Sequence, residues 1–292
     1  MSWCQLKLYT SKENAESWSE LLTTTGAVAI IIHGKEQKAI IEPTPGDLPL
    51  WDQIQIIGLY QDNIDIALIK TQLFQHLGKD LDLHTEILQE EDWQDIWKKD
   101  LKPIKFGNNL WICPSWCEIP KPQEINIILD PGMAFGTGTH PTTALCLEWL
   151  TENIKEETQV MDFGCGSGIL AIATIKLGAK FAYCIDCDPQ ALISTKDNAY
   201  KNSINNKQLK TLLPQELAPN IQVDLLIANI LANPLQELAE KLADYVKPYG
   251  KIVLSGILQN QTSELINIYS KWFKNIEITN KEEWVRITGI KK

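Results

Sequence analysis

The nine residues Val160-Met161-Asp162-Phe163-Gly164-Cys165-Gly166-Ser167-Gly168 constrain this chain more than any other stretch. Val160, Met161 and Phe163 are apolar enough for an inner strand of a parallel sheet, which is covered on both faces. The glycines then permit a sharp turn and a close backbone approach to a ligand, because no Cβ stands in the way. Ile169-Leu170-Ala171-Ile172-Ala173 starts a helix that packs back on the sheet. In open α/β sheets a ligand binds beyond the carboxyl ends of the strands, where this turn lies.

The glycine spacing narrows the ligand. A dinucleotide fingerprint has glycine at the first, third and sixth positions of the turn. Counted from Gly164, the sixth position is Ile169, so that fingerprint is broken. No Gly-Lys-Ser/Thr follows, which removes the phosphate loop of nucleoside triphosphatases. What remains is Asp-x-Gly-x-Gly-x-Gly, led by Asp162.

The flanking segments extend the pattern. Residues 181–185 read as the next strand, and Asp186 ends it. An acid at the end of the second strand, about 20 positions beyond the turn, can accept the ribose hydroxyls of an adenosine. Asp188-Pro189 opens the following helix, so Asp188 reads as its cap. Residues 209–213, 223–228 and 250–254 read as further strands, with helices over 234–246 and 259–271. Strands at 274–279 and 284–289 close the chain. Alternating strands and helices with a final antiparallel pair predict a doubly wound sheet of seven strands. Ahead of it, residues 129–143 hold three glycines and two prolines with several hydroxyls and one histidine. Such a loop before a helix (residues 144–154) often lines a site, and Thr142 or Thr143 could cap that helix.

Residues 1–90 read as a small α+β unit. Residues 5–9 alternate polar and apolar like an edge strand. Ala15, Trp18, Leu21 and Leu22 mark a helix over 12–24, with Gly26 as its C-terminal cap. Strands follow at 27–32, 55–60 and 83–88, separated by a proline-rich loop at 43–49 and a helix through Ile66, Ile69, Leu73 and Leu77, closed by Gly78. The order β-α-β-β-α-β suggests a ferredoxin-like split unit. Residues 90–101 form a short amphipathic helix with Trp93 and Trp97 a turn apart. Residues 103–128 read as strands and loops leading onward. The expected organisation is therefore 1–90, a connection over 91–124, and a second domain over 125–292. His33, His76 and His84 are isolated and form no catalytic group.

Bulk properties exclude several classes. A length of 292 residues supports one or two domains. A net charge of -10 argues against a large non-specific nucleic-acid interface, which needs a basic stripe. The longest aliphatic runs, such as residues 27–32, are too short to span a membrane. Residues 1–4 lack the basic segment and apolar run of a signal peptide, so a cytoplasmic location is expected. The seven cysteines are scattered. Cys184-Ile185-Asp186-Cys187 and Cys113-Pro114-Ser115-Trp116-Cys117 have no matching second pair, so reduced thiols are expected rather than a metal site.

This combination resembles the class I S-adenosylmethionine-dependent methyltransferases. The motifs Phe135-Gly136-Thr137-Gly138-Thr139-His140-Pro141-Thr142-Thr143, Asp162 to Gly168, Asp186-Cys187-Asp188-Pro189 and Ala228-Asn229-Ile230-Leu231-Ala232 together resemble the ribosomal protein L-eleven methyltransferases. The resemblance implies a Rossmann-like α/β domain behind a small substrate-recognition domain. It also implies S-adenosyl-L-methionine as cofactor, and transfer to lysine side chains and a terminal α-amine of one large-subunit ribosomal protein. By the same resemblance, Thr143 and Phe135 lie in the loop over the methionine half of the cofactor. Gly164 and Gly166 form the turn beneath it. Asp186 binds the ribose, and Asn229 stands beside the transferred methyl. The alternatives are another protein lysine or a small-molecule amine, although the latter leaves the first hundred residues without a role.

Chemistry adds two expectations. An amine must lose its proton before attack, and His140 is a candidate base. Methyltransferases acting on planar amino groups resemble one another in having Pro-Pro-aromatic after the Asn or Asp. Here Ile230, Leu231 and Ala232 offer no stacking partner, which suits an aliphatic amine.

Overall fold

The computed structural model describes residues 3–34, 51–61, 64–77, 83–88, 101–130, 140–218 and 220–292, without the side chains of 75–77 and 88. The expected loop at 43–49, Gly78, the helix at 90–101 and residues 131–139 of the glycine-rich loop, Phe135 included, lie outside the described residues. The chain divides into two compact units, residues 1–100 and 101–292.

The first unit runs β1 (Trp3–Ser11), α1 (Ala15–Thr24), β2 (Ala29–Gly34), β3 (Gln53–Gln61), α2 (Ile66–Leu77) and β4 (His84–Leu88). Its antiparallel sheet has the order β2-β3-β1-β4. Cys4, Leu6 and Leu8 of β1 pack with Trp18 and Leu22 of α1 and with Ile69 and Leu73 of α2. β1 therefore lies inside the sheet, not at the edge that its alternation suggested. Helices on a single face of an antiparallel sheet impose alternation on inner strands too. Gly26 adopts a left-handed φ of 98° just past α1, where a capping glycine belongs.

The second unit opens with β5 (Ile104–Phe106), β6 (Leu110–Cys113) and β7 (Ile125–Ile128), a small sheet of that order. Then follow α3 (Pro141–Asn153), β8 (Gln159–Phe163), α4 (Ile169–Lys176), β9 (Phe181–Ile185), α5 (Pro189–Lys201), β10 (Leu209–Leu212) and β11 (Val223–Asn229). The chain ends with α6 (Ala232–Glu237), α7 (Ala239–Asp244), β12 (Val246–Leu258), α8 (Thr262–Tyr269), β13 (Phe273–Lys281) and β14 (Trp284–Lys291). The seven-stranded sheet has the order β10-β9-β8-β11-β12-β14-β13. Strands β8 to β12 are parallel, and β14 runs antiparallel between β12 and β13.

Helices cover both faces. On one face, Ala144 and Leu147 of α3, Ile169 and Ile172 of α4 and Leu192 of α5 share a core with Phe106, Leu110 and Ile127 of the small sheet. That shared core is why the strands within 103–128 belong to the second unit rather than to a connection. On the other face, Leu235, Leu242 and Leu265 of α6, α7 and α8 pack on Leu226, Ile252 and Leu254. A fully buried aliphatic side chain such as Ile172 contributes about 1.5–3 kcal/mol.

Two elements differ from the sequence pattern. The single helix expected over 234–246 is two short ones meeting at Leu238, whose ψ of 2° departs from helical geometry. Strand β12 starts before Gly250 because Val246 already pairs with Val223.

Candidate active site

A cavity of about 430 Å³ lies at the carboxyl ends of β8, β9 and β11. This is where a doubly wound sheet binds its ligand. Thr143, Gly164, Gly166, Asp186 and Asn229 all line it, so five of the expected site residues, from four segments, meet on one space.

The glycine turn is held from every side. The N–H groups of Gly164 and Cys165 donate to the Ile185 carbonyl at 2.7 and 3.0 Å, which pins the turn to the end of β9. Gly166 N–H donates to Asp186 Oδ2 at 2.9 Å. The other Asp186 oxygen accepts from Asp188 N–H at 3.0 Å. From α5, Thr195 Oγ1 donates to the Gly166 carbonyl and Asn198 Nδ2 to the Ser167 carbonyl. Gly164 has a φ of 77°, a conformation that L side chains avoid. Asp188 is the cap of α5, accepting from Gln190 N–H at 2.8 Å.

A buried acid, Asp162, a half-buried one, Asp186, and an amide give the site its electrostatics. Asp162 is 1% exposed at the end of β8. Its Oδ2 accepts from Ala171 N–H at 3.0 Å, while Oδ1 has no hydrogen-bond partner among the described residues. Burial pushes its pKa up to about 7, the Ala171 bond pulls it back, and the Asp186 carboxylate adds to the rise. Asn229 Nδ2 donates to Thr143 Oγ1 at 3.3 Å, and Asn229 Oδ1 is a buried acceptor without a partner among the described residues. An orphaned buried acceptor costs roughly 1–3 kcal/mol, so its persistence marks a place for a ligand donor.

His140 takes a different position from the other site residues. It is the N-cap of α3, and Nδ1 accepts from Thr142 N–H at 3.3 Å. Its ring packs edge-on against Trp284 with centroids 4.9 Å apart. Burial lowers its pKa, and Glu282 and Glu283 oppose that. It is not among the residues that line the cavity. The cap expected from Thr142 or Thr143 is thus supplied by His140, and both threonines are buried within the first turn.

Several lining residues carried no sequence signal of their own. Leu238 and Lys241 reach the cavity from the α6–α7 region. Pro214 follows β10, and the carboxyl-end rule that located Asp186 would have found it. Ile169 and Leu170 add apolar wall. Apolar walls, a carboxylate held by backbone donors, and an orphaned acceptor fit an adenosyl group with a positively charged centre. Among the described residues, no three His, Cys, Asp or Glu side chains gather to hold a metal ion. No helix among them is long and apolar enough to cross a membrane.

The fold and this site define a class I S-adenosylmethionine-dependent methyltransferase. Comparison with known proteins narrows the class. The chain matches the family described as "Ribosomal protein L11 methyltransferase (PrmA)" over residues 2–292, and it belongs to that family. It is 47% identical to the protein of that name from Shewanella woodyi and 44% identical to that from Tolumonas auensis, with 100% of each chain covered in both cases. The crystal structure of ribosomal protein L11 methylase from Lactobacillus delbrueckii subsp. bulgaricus superposes with a TM-score of 0.59 at 29% identity. That match covers 66% of this chain and 100% of the other.

Proposed function

We propose that this chain transfers methyl groups from S-adenosyl-L-methionine to amines of ribosomal protein L11, at lysine side chains and the terminal α-amine. In this reading residues 1–90 recognise the substrate protein, and the second unit, with the strands of 103–128 in its core, carries the transfer. The observation that carries it is the orphaned Asn229 Oδ1 on a cavity shared with Asp186 and the glycine turn. The site of action is the cytoplasm, where ribosomal proteins are available.

Asp186 holds the ribose hydroxyls with the lone pairs left over from its two backbone bonds. Gly164 and Gly166 let the methionine half lie against the backbone beside Thr143, and the family resemblance assigns Phe135 to the same half. The cofactor supplies a methyl group already activated by its positive sulfur. The protein's own task is to align an amine with it, a contribution worth several kcal/mol. A lysine amine has a pKa of about 10.4 in water. Burial in the apolar cavity favours its neutral form. Asn229 Oδ1 accepts one N–H of that neutral amine and so orients its lone pair. With Nδ1 of His140 engaged at the helix cap, the reading assigns no side chain as base. Ile230, Leu231 and Ala232 give a flat ring nothing to stack on, so the acceptor is a slender aliphatic amine.

The test is to incubate the protein with S-adenosyl-L-methionine and unmodified ribosomal protein L11, then weigh the intact substrate. The expected result is a rise by whole methyl units that disappears in Asp186→Ala. An unchanged mass with the wild-type enzyme overturns the reading.

A further inference from the structure

We propose that Gly256 and Ile230 are positioning residues for transfer, a seat and a wedge that aim Asn229 at the amine. The inference rests on the methyl-transfer reading and extends it to a residue outside the cavity.

Ile230 directly follows Asn229 and is gripped from two strands at once. Its backbone lies on Gly256 of β12, where an added Cβ would stand 2.3 Å from the Ile230 carbonyl oxygen and 2.8 Å from its carbon. Its Cγ2 lies over Gly164 after β8, where an added Cβ would stand 2.2 Å away. Both glycines have positive φ, 84° and 77°. Gly256 lies where the β12–β14 register slips between Leu254 and Ile257. That slip is a bulge, a device that re-aims what packs on it. The preceding Ser255 pairs in register with Asn229 and reaches the Thr142 carbonyl with its hydroxyl at 3.3 Å. Thr143, the next residue, accepts the Asn229 Nδ2 proton.

The consequence is a fixed amide. The Asn229 side chain is tied on one side to α3, and its backbone exit is set by Ile230 pressed between two surfaces that lack Cβ. The orphaned Oδ1 then has one direction. Loosening the wedge acts first on the Asn229 amide, because Asp186 is held by its own bonds to Gly166 and Asp188. Gly256 itself does not line the cavity, so an effect of changing it on transfer runs through its neighbours, Ile230 above all.

The experiment compares Gly256→Ala, Ile230→Ala and Ile230→Val as full chains. Measured quantities are kcat and KM for L11 methylation, the Kd for S-adenosylhomocysteine by calorimetry, and the thermal midpoint. Ordinary contact begins at 3.4 Å, so the new methyl of Gly256→Ala displaces Ile230 by about 1 Å. A displacement of that size costs up to about 100-fold in rate. The expected result is a large fall in kcat for Gly256→Ala and Ile230→Ala, with Kd within about threefold of wild type. Ile230→Val keeps both γ carbons and restores kcat. If Gly256→Ala does not fold, the two Ile230 variants decide. A folded Ile230→Ala with wild-type kcat overturns the proposal, as does a loss of cofactor affinity equal to the loss of transfer. No transfer by the wild-type chain, with cofactor still bound, overturns the underlying reading and this proposal with it.

Discussion

Replacing Asp162 by asparagine should remove a specific part of the pH dependence of stability. In the native state burial and the nearby Asp186 carboxylate push the Asp162 pKa up to about 7. In the unfolded chain it lies near 3.9. Between those values the native state holds a proton that the unfolded state has lost. Stability from this group is therefore full below about pH 4, declines as pH rises, and is gone above about pH 7. Three pKa units at about 1.4 kcal/mol each give roughly 4 kcal/mol across the window. Other groups that face Asp162 are the thiols of Cys146 and Cys184, both pushed up by burial and neutral throughout. His140 works the other way: its lowered pKa adds stability as pH rises towards 6.5. The difference between wild type and Asp162→Asn cancels that term. Urea unfolding of both proteins at steps from pH 4.5 to 8, followed by tryptophan fluorescence, gives the two curves. The wild-type advantage should shrink steadily up to neutral pH and then stay flat. Parallel curves would refute the reasoning, because they would mean that Asp162 is ionised in the native state throughout.

Substitutions at three further positions separate roles within the site. Thr143→Val keeps the shape but strands the half-buried Asn229 Nδ2, so kcat/KM for L11 methylation should fall about tenfold or more, measured with radiolabelled cofactor. Asp186→Asn removes the charge that holds Gly166 and Asp188, and the calorimetric Kd for S-adenosylhomocysteine should weaken roughly 10–100-fold. His140→Asn supplies a good cap with no titratable ring, so both stability and kcat should stay near wild type, whereas His140→Ala should lose about 1 kcal/mol in a denaturant melt. A large drop in kcat for His140→Asn, with a flattened pH–rate profile, would instead make His140 a base.

What could be read from the sequence was what short-range pattern controls. The turn from Gly164 to Gly168, the acid at Asp186 and the cap at Asp188 follow from local rules, and each stands where those rules put it. The alternation of strands and helices carried the seven-stranded sheet in the same way. Long-range packing decided the rest. Gly256 sits in Leu254-Ser255-Gly256-Ile257 and reads as an ordinary strand glycine; only the fold brings the Ile230 backbone onto it. The inner place of β1 depends on which strands its hydrogen bonds find, and alternation does not encode that. The His140 cap escaped because cap preferences name Ser, Thr, Asp and Asn. Histidine Nδ1 lies as many bonds from the backbone as asparagine Oδ1, so geometry allows a role that frequency does not suggest.

The placement of Asp186 shows why the cofactor end of such a site is legible and the amine end less so. One carboxylate bonds the turn after β8 and the start of the helix after β9. The residue that meets the ribose in the proposed reading is therefore also the residue that shapes the turn beneath it, and both demands fall on a single local motif. The amine end has no such economy. Asn229 needs Thr143 from α3 for its amide, Gly164 from β8 and Gly256 from β12 for the residue behind it. Each of those positions is common on its own, and its role arises only where four chain segments converge. Substitutions near Asp186 should therefore move cofactor affinity and turn stability together. Substitutions around Ile230 should lower transfer far more than they weaken cofactor binding.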